Sequence, residues 1–152
     1  MTNRLLFITL IFSLQICCFG QNNYKWTHSV KKITANEYDL VFKVIIDDGF
    51  SIFACSNNQD TGIILPTEIK FVTTNKYVLI GDIKESTPKK INHEMFGSQI
   101  LVHQNNASFT QRIKVLTRVN FKITASIESE IFNNTQATFP PPKQVIFDII
   151  GQ

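Results

Sequence analysis

Thiols and imidazoles are the side chains from which this chain could build catalysis, and they are few. Cysteine occurs at Cys17, Cys18 and Cys55, and histidine at His28, His93 and His103. The first two cysteines close an apolar opening in which Arg4 precedes a run from Leu5 to Phe19, broken only by Thr9, Ser13 and Gln15. A charged start, a short apolar stretch and small or modest residues at the third-last and last places, Cys18 and Gly20, fit a cleaved export signal, giving a mature chain from Gln21. The stretch is too short for a good membrane span. Lipidation is the rival, but bulky Ile16 precedes Cys17 where a small residue normally stands. The expectation is a signal peptide over 1–20 and one exported domain over 21–152, periplasmic or secreted, with no membrane span in the mature chain.

Within that domain Cys55 is alone, so no internal disulfide can form. Two fates are open to it. It is either a lone exposed thiol that accepts a mixed disulfide from a thioredoxin-like partner, or a half-buried small residue at a strand end. No Lys, Arg or His lies close in sequence to depress its pKa, which favours the second. The three histidines are scattered among polar neighbours without metal-ligand spacing, and they are expected on the surface. No metal and no cofactor is expected. Of 15 Lys and Arg only Arg4 precedes Gln21, and they face 12 Asp and Glu, a mildly basic balance. Lys31-Lys32 and Lys89-Lys90 are short solvated pairs, so neither nucleic acid nor a membrane surface is implied as a partner.

The elements that must position these residues are strands. Leu40, Phe42, Val44 and Ile46 alternate with Val41, Lys43 and Ile45. Val119, Phe121, Ile123, Ala125 and Ile127 alternate with Asn120, Lys122, Thr124 and Ser126. This is period 2, with apolar side chains on one face. Shorter runs of the same kind cover 50–54, 69–72, 77–80, 100–103, 109–115 and 145–149. Turn signals fall at Asp47-Asp48-Gly49, Asn57 to Gly62, Asn75-Lys76 and Asn105-Asn106. No stretch keeps a 3.6-residue stripe. Roughly 130 residues make one domain, and seven to nine short strands predict an all-β, immunoglobulin-like antiparallel sandwich. Phe42, Phe50, Phe53, Phe71, Phe96, Phe109 and Phe121 are available to fill it.

The order of landmarks carries a resemblance. Trp26 comes first, then Asp48-Gly49-Phe50-Ser51-Ile52-Phe53, then Leu65-Pro66-Thr67-Glu68-Ile69-Lys70-Phe71. His93-Glu94-Met95-Phe96-Gly97 and Phe109-Thr110-Gln111-Arg112-Ile113-Lys114-Val115 follow. The chain closes with Phe139-Pro140-Pro141-Pro142-Lys143-Gln144-Val145-Ile146-Phe147. Over 26–149 it resembles the N-terminal periplasmic domain of the thiol:disulfide interchange protein DsbD. The resemblance implies an immunoglobulin-like sandwich, a pair of redox cysteines near the C-terminal end, and an aromatic cap shielding them. It also implies thioredoxin-like and cytochrome c maturation partners.

Carried onto this sequence, Phe139-Pro140-Pro141 matches the segment after the pair. The cysteine positions then fall on Phe132 and Thr138, or with a shift of one residue on Asn133 and Phe139. None of these is a cysteine. Disulfide exchange needs one thiolate to attack and a second thiol to resolve the mixed disulfide, and Phe, Asn and Thr supply neither. The cap and groove residues implied are Phe53, His93, Met95, Phe96, Phe139, Pro140 and Pro141, with Phe96 filling a groove that Phe132 occupies. The expected function is a non-enzymatic interaction module of this family, meeting a thioredoxin-like or DsbD-type envelope protein. The alternatives are a one-cysteine redox acceptor through Cys55 and a generic envelope binding or adhesion sandwich.

Overall fold

The computed structural model describes residues 23–56 and 65–151. The expected signal segment 1–20, with Cys17 and Cys18, and the expected turn at 57–62 lie outside the described residues.

Alternation in sequence becomes alternation in burial. In β2 (Glu37–Ile46) Tyr38, Leu40, Phe42, Val44 and Ile46 are buried, and the residues between them face outward. The same holds for β8 (Asn106–Val115), β9 (Phe121–Glu128) and β12 (Lys143–Ile149). Strands β1 (Tyr24–Lys32) and β5 (Tyr77–Glu85) complete a four-stranded sheet in the order β1-β2-β8-β5, and β4 (Glu68–Phe71) joins a three-stranded sheet, β12-β9-β4. All pairings in both are antiparallel.

These two sheets face one another across the main core. Phe42 meets Phe147 edge-on at 5.2 Å between ring centroids and Phe71 at 6.0 Å. Trp26 tilts against Phe109 at 5.6 Å. Each fully buried large apolar side chain is worth about 1.5–3 kcal/mol relative to exposure, so this interface dominates stability. At one rim, Nε2 of His28 on β1 lies 3.0 Å from the Ile146 carbonyl on β12. The molecule is an immunoglobulin-like antiparallel β-sandwich with open sheet edges.

A third sheet closes one end. It runs β11 (Ala137–Thr138), β10 (Ile131–Phe132), β3 (Ser51–Phe53), β7 (Ser98–His103), β6 (Lys89–His93). Among the described residues twelve strands are found where seven to nine were expected. The additional ones are β1, β6, β10 and β11. They are either two residues long or lack apolar alternation, and they are ordered by their neighbours. Val119 does not extend β9: it is 60% exposed, and the strand begins at Phe121.

Candidate functional site

The end sheet carries a second, smaller cluster. Ile52 and Ile131 point into the main core, while their chain neighbours Phe53 and Phe132 point the other way, as period 2 requires. Phe53 and Phe132 are stacked with centroids 4.5 Å apart. Ile100 and Val102 of β7 complete the buried set, and Ile91 flanks it.

A hairpin lid covers these rings. Strands β6 and β7 are joined by a 3-10 turn, Glu94–Phe96, that ends on Gly97 with φ +61°, a left-handed conformation that glycine adopts without strain. The Gly97 N–H donates to the His93 carbonyl at 3.0 Å and the Glu94 carbonyl at 3.1 Å, which tightens the tip. Phe96 is thereby set edge-on to Phe53 at 5.2 Å and to Phe132 at 5.1 Å. The His93 ring lies 5.0 Å from Phe96 and 5.3 Å from Phe132. Aromatic pairs of this geometry add about 0.5–1.5 kcal/mol beyond their burial.

Phe53, His93, Phe96 and Phe132 are therefore brought together. Met95 and Phe139 are not in that cluster: both are exposed, at 43% and 49%. Pro140 is half-buried and Pro141 exposed. Two polar atoms of the lid are buried without a hydrogen-bond partner among the described residues, Nδ1 of His93 and Oγ of Ser98. The two residues stand opposite each other on β6 and β7.

Register decides what the 132–138 hairpin could hold. Pairing of β10 with β11 sets Phe132 opposite Ala137 and Ile131 opposite Thr138. The Asn133 N–H donates to the Gln136 carbonyl at 2.9 Å, continuing that order. Directly opposed residues share a face, so Phe132 and Thr138 project to opposite faces. Asn133 faces Gln136 rather than Phe139.

The surface placement expected for the histidines holds for His28 only. His93 and His103 are buried, at 8% and 3% exposure. For His103 the reason is a carboxylate 18 residues away: its Nε2 lies 2.9 Å from Oε2 of Glu85 and so carries the proton of that bond. Its ring also meets Phe109 edge-on at 5.3 Å. Glu85 further accepts the backbone N–H of Cys55 on Oε2 and of Ser56 on Oε1, both at 2.9 Å. Burial alone would raise the Glu85 pKa, but the bonds from His103, Ser56 and Cys55 outweigh it and hold the carboxyl below its ordinary value. Sequence spacing gave no sign of this knot.

Cys55 sits at that knot. It is partly buried against the main core. Burial, and then the Glu85 and Glu68 carboxylates, push its thiol up to about 12, so almost none of it is thiolate at neutral pH. Nearby, the Thr67 hydroxyl donates to the Phe53 carbonyl at 2.6 Å. Among the described residues no group of three or more His, Cys, Asp or Glu could hold a metal ion. No helix there is long and apolar enough to cross a membrane.

The class defined by this geometry is an open immunoglobulin-like sandwich with a capped end sheet. No protein-family model matches the chain, and no curated protein is similar to it. Among solved structures, the N-terminal periplasmic domain of ScsB from Proteus mirabilis shares the fold with a TM-score of 0.62 at 11% identity, over 84% of this chain and 47% of that one. The N-terminal domain of DsbD from Neisseria meningitidis, in the reduced form, matches with a TM-score of 0.49 at 15% identity, over 83% of this chain and 85% of that one. This chain thus spans about half the length of the ScsB domain.

Proposed function

We propose that this chain is an exported, non-enzymatic member of the DsbD and ScsB N-terminal domain group. It acts as a protein-interaction module without passing electrons. The observation that carries the proposal is the Phe53–Phe132 stack beneath Phe96. The family resemblance puts one of its two cysteine positions at Phe132, whose ring, packed against Phe53 and Phe96, carries no thiol to exchange.

The state of Cys55 points the same way. A thiol pushed up to about 12 is a poor nucleophile at neutral pH, which speaks against a one-cysteine acceptor. The partner this reading implies is a thioredoxin-like or DsbD-type envelope protein. The exposed side chains of Met95 and Phe139 are available to it as apolar contacts.

Reduction of insulin by the purified protein, with dithiothreitol as the electron source and the dithiothreitol-only rate subtracted, tests the proposal. No turnover is expected, and none in Cys55→Ser. Turnover that survives Cys55→Ser sinks the inert assignment. Turnover abolished by Cys55→Ser establishes the single-cysteine alternative instead. Native-state thiol labelling gives an independent readout: Cys55 should stay unmodified at neutral pH until the protein is denatured.

A further inference from the structure

Sheet edges invite pairing with another chain unless charge, brevity or cover blunts them. Most edges here are guarded. Strand β1 carries Lys25, Lys31 and Lys32, β6 carries Lys89 and Lys90, and β12 carries Lys143 and Asp148. Strand β4 is four residues long with Glu68 and Lys70, and β11 has only two residues. The first half of β5 differs. Residues 77–81 are uncharged, and Val78, Leu79 and Ile80 are 46%, 47% and 38% exposed. Among the described residues β5 pairs on one side only, with β8.

Backbone phase fixes which groups face outward. The Leu116 N–H donates to the Lys76 carbonyl at 2.8 Å, one step beyond the Tyr77–Val115 pair. Successive residues of an antiparallel strand turn their N–H and C=O alternately to one neighbour and the other. Val78 and Ile80 therefore bond toward β8, whereas Tyr77 and Leu79 present N–H and C=O to the open side.

We propose that the 77–81 half of β5 pairs antiparallel with the same segment of a second copy, about a two-fold axis at Leu79. Either a hydrogen-bonded or a non-hydrogen-bonded pair can sit on such an axis, so the hydrogen-bond phase leaves the choice among residues 77–80 to the side chains. Centring on Leu79 lets the two Leu79 residues exchange both backbone bonds. It sets Val78 against the partner copy's Ile80, matching apolar with apolar on the outer face. Just outside the paired 77–81 stretch it also brings Lys76 toward the partner copy's Asp82, so opposite charges meet at both ends. The surface is complementary to itself, as a closed dimer needs.

The inner side of the edge fits too. Leu79 stands opposite Ile113 and borders a groove of about 350 Å³. Ile69 and Phe71 of β4 line the groove's other side. A second Leu79 laid beside the first would shield it. Beyond residue 81 the ladder ends itself, because the register slips between Ile80 and Lys84 and Gly81 adopts φ +62°. That bulge limits growth past a dimer.

Sedimentation velocity over a concentration series tests this on the purified protein. A monomer–dimer equilibrium is expected, and Leu79→Lys should abolish it while leaving the circular dichroism and melting temperature near wild type, since Leu79 is half-exposed. Lys76→Asp or Asp82→Lys alone should weaken the dimer roughly fivefold or less, as for exposed ion pairs, and the double exchange should restore it. In a Cys55→Ser background, Leu79→Cys should crosslink copy to copy on oxidation. Val119→Cys, at a still more exposed position elsewhere, should not. A monomer at every concentration, a dimer indifferent to Leu79→Lys, species larger than a dimer, or equal crosslinking at both positions overturns the proposal.

Discussion

The main core and the lid cluster are both built on phenylalanine, yet they are specified in different ways. In the core, Phe42, Phe109 and Phe147 are members of long alternating strands, and many neighbours repeat the same instruction. A buried amide there, Gln111, bonds the carbonyls of Ile80, Gly81 and Arg112. In the lid, three short segments contribute one phenylalanine each, and two buried polar atoms, His93 Nδ1 and Ser98 Oγ, have no partner among the described residues. Redundant, satisfied packing marks a stability element. Sparse packing with orphaned polar groups marks a place where local consistency has been given up, as at sites that meet other molecules.

Substitutions can break that contrast. The largest effect is expected for Phe42→Ala, whose ring is fully buried between two sheets: about 4–5 kcal/mol of unfolding free energy by urea titration. A loss below about 2 kcal/mol would mean the two sheets are not the principal interface.

Phe132→Ala should cost less, about 3 kcal/mol, because the lid can partly collapse onto the gap. Combined with Phe96→Ala, the loss should fall short of the sum, since the two rings touch. Strict additivity in the double-mutant cycle would show that the lid does not act as one unit.

Glu85→Gln sharpens the comparison at the seam between the regions. It should cost about 1–3 kcal/mol at neutral pH by weakening the bonds to His103, Cys55 and Ser56. The Glu85 pKa is depressed on folding, so its contribution is present above its unfolded value and is lost as pH falls through the folded one. The gap between wild type and variant should therefore narrow on acidification. A gap that is constant from neutral pH to acid would show that the carboxylate charge plays no part.

The parts of this molecule legible in its sequence are those in which a local pattern repeats. Period 2 in 40–46 and in 121–127 identified the facing strands, because alternate side chains must take opposite sides of a sheet. Strand β1 was marked only by Trp26, since Trp26 alone of its nine residues is buried and pairing with β2 makes it a strand. Proximity of Phe53, Phe96 and Phe132 was implied by resemblance to a family, not by spacing. Their contact distances, and the opposition of Phe132 to Ala137 rather than Thr138, depend on hairpin register.

Composition and order alone settled that a single thiol, Cys55, follows residue 20, and apolar alternation along the strands pointed to a β-sandwich. These follow from residue identity and from the geometry of a single strand. Only the folded chain placed Glu85 against His103 and beneath Cys55, buried two histidines expected in water, and left the uncharged 77–81 edge paired on one side only among the described residues. Each of those depends on which distant backbones lie side by side, and burial and electrostatics act through space, not along the sequence.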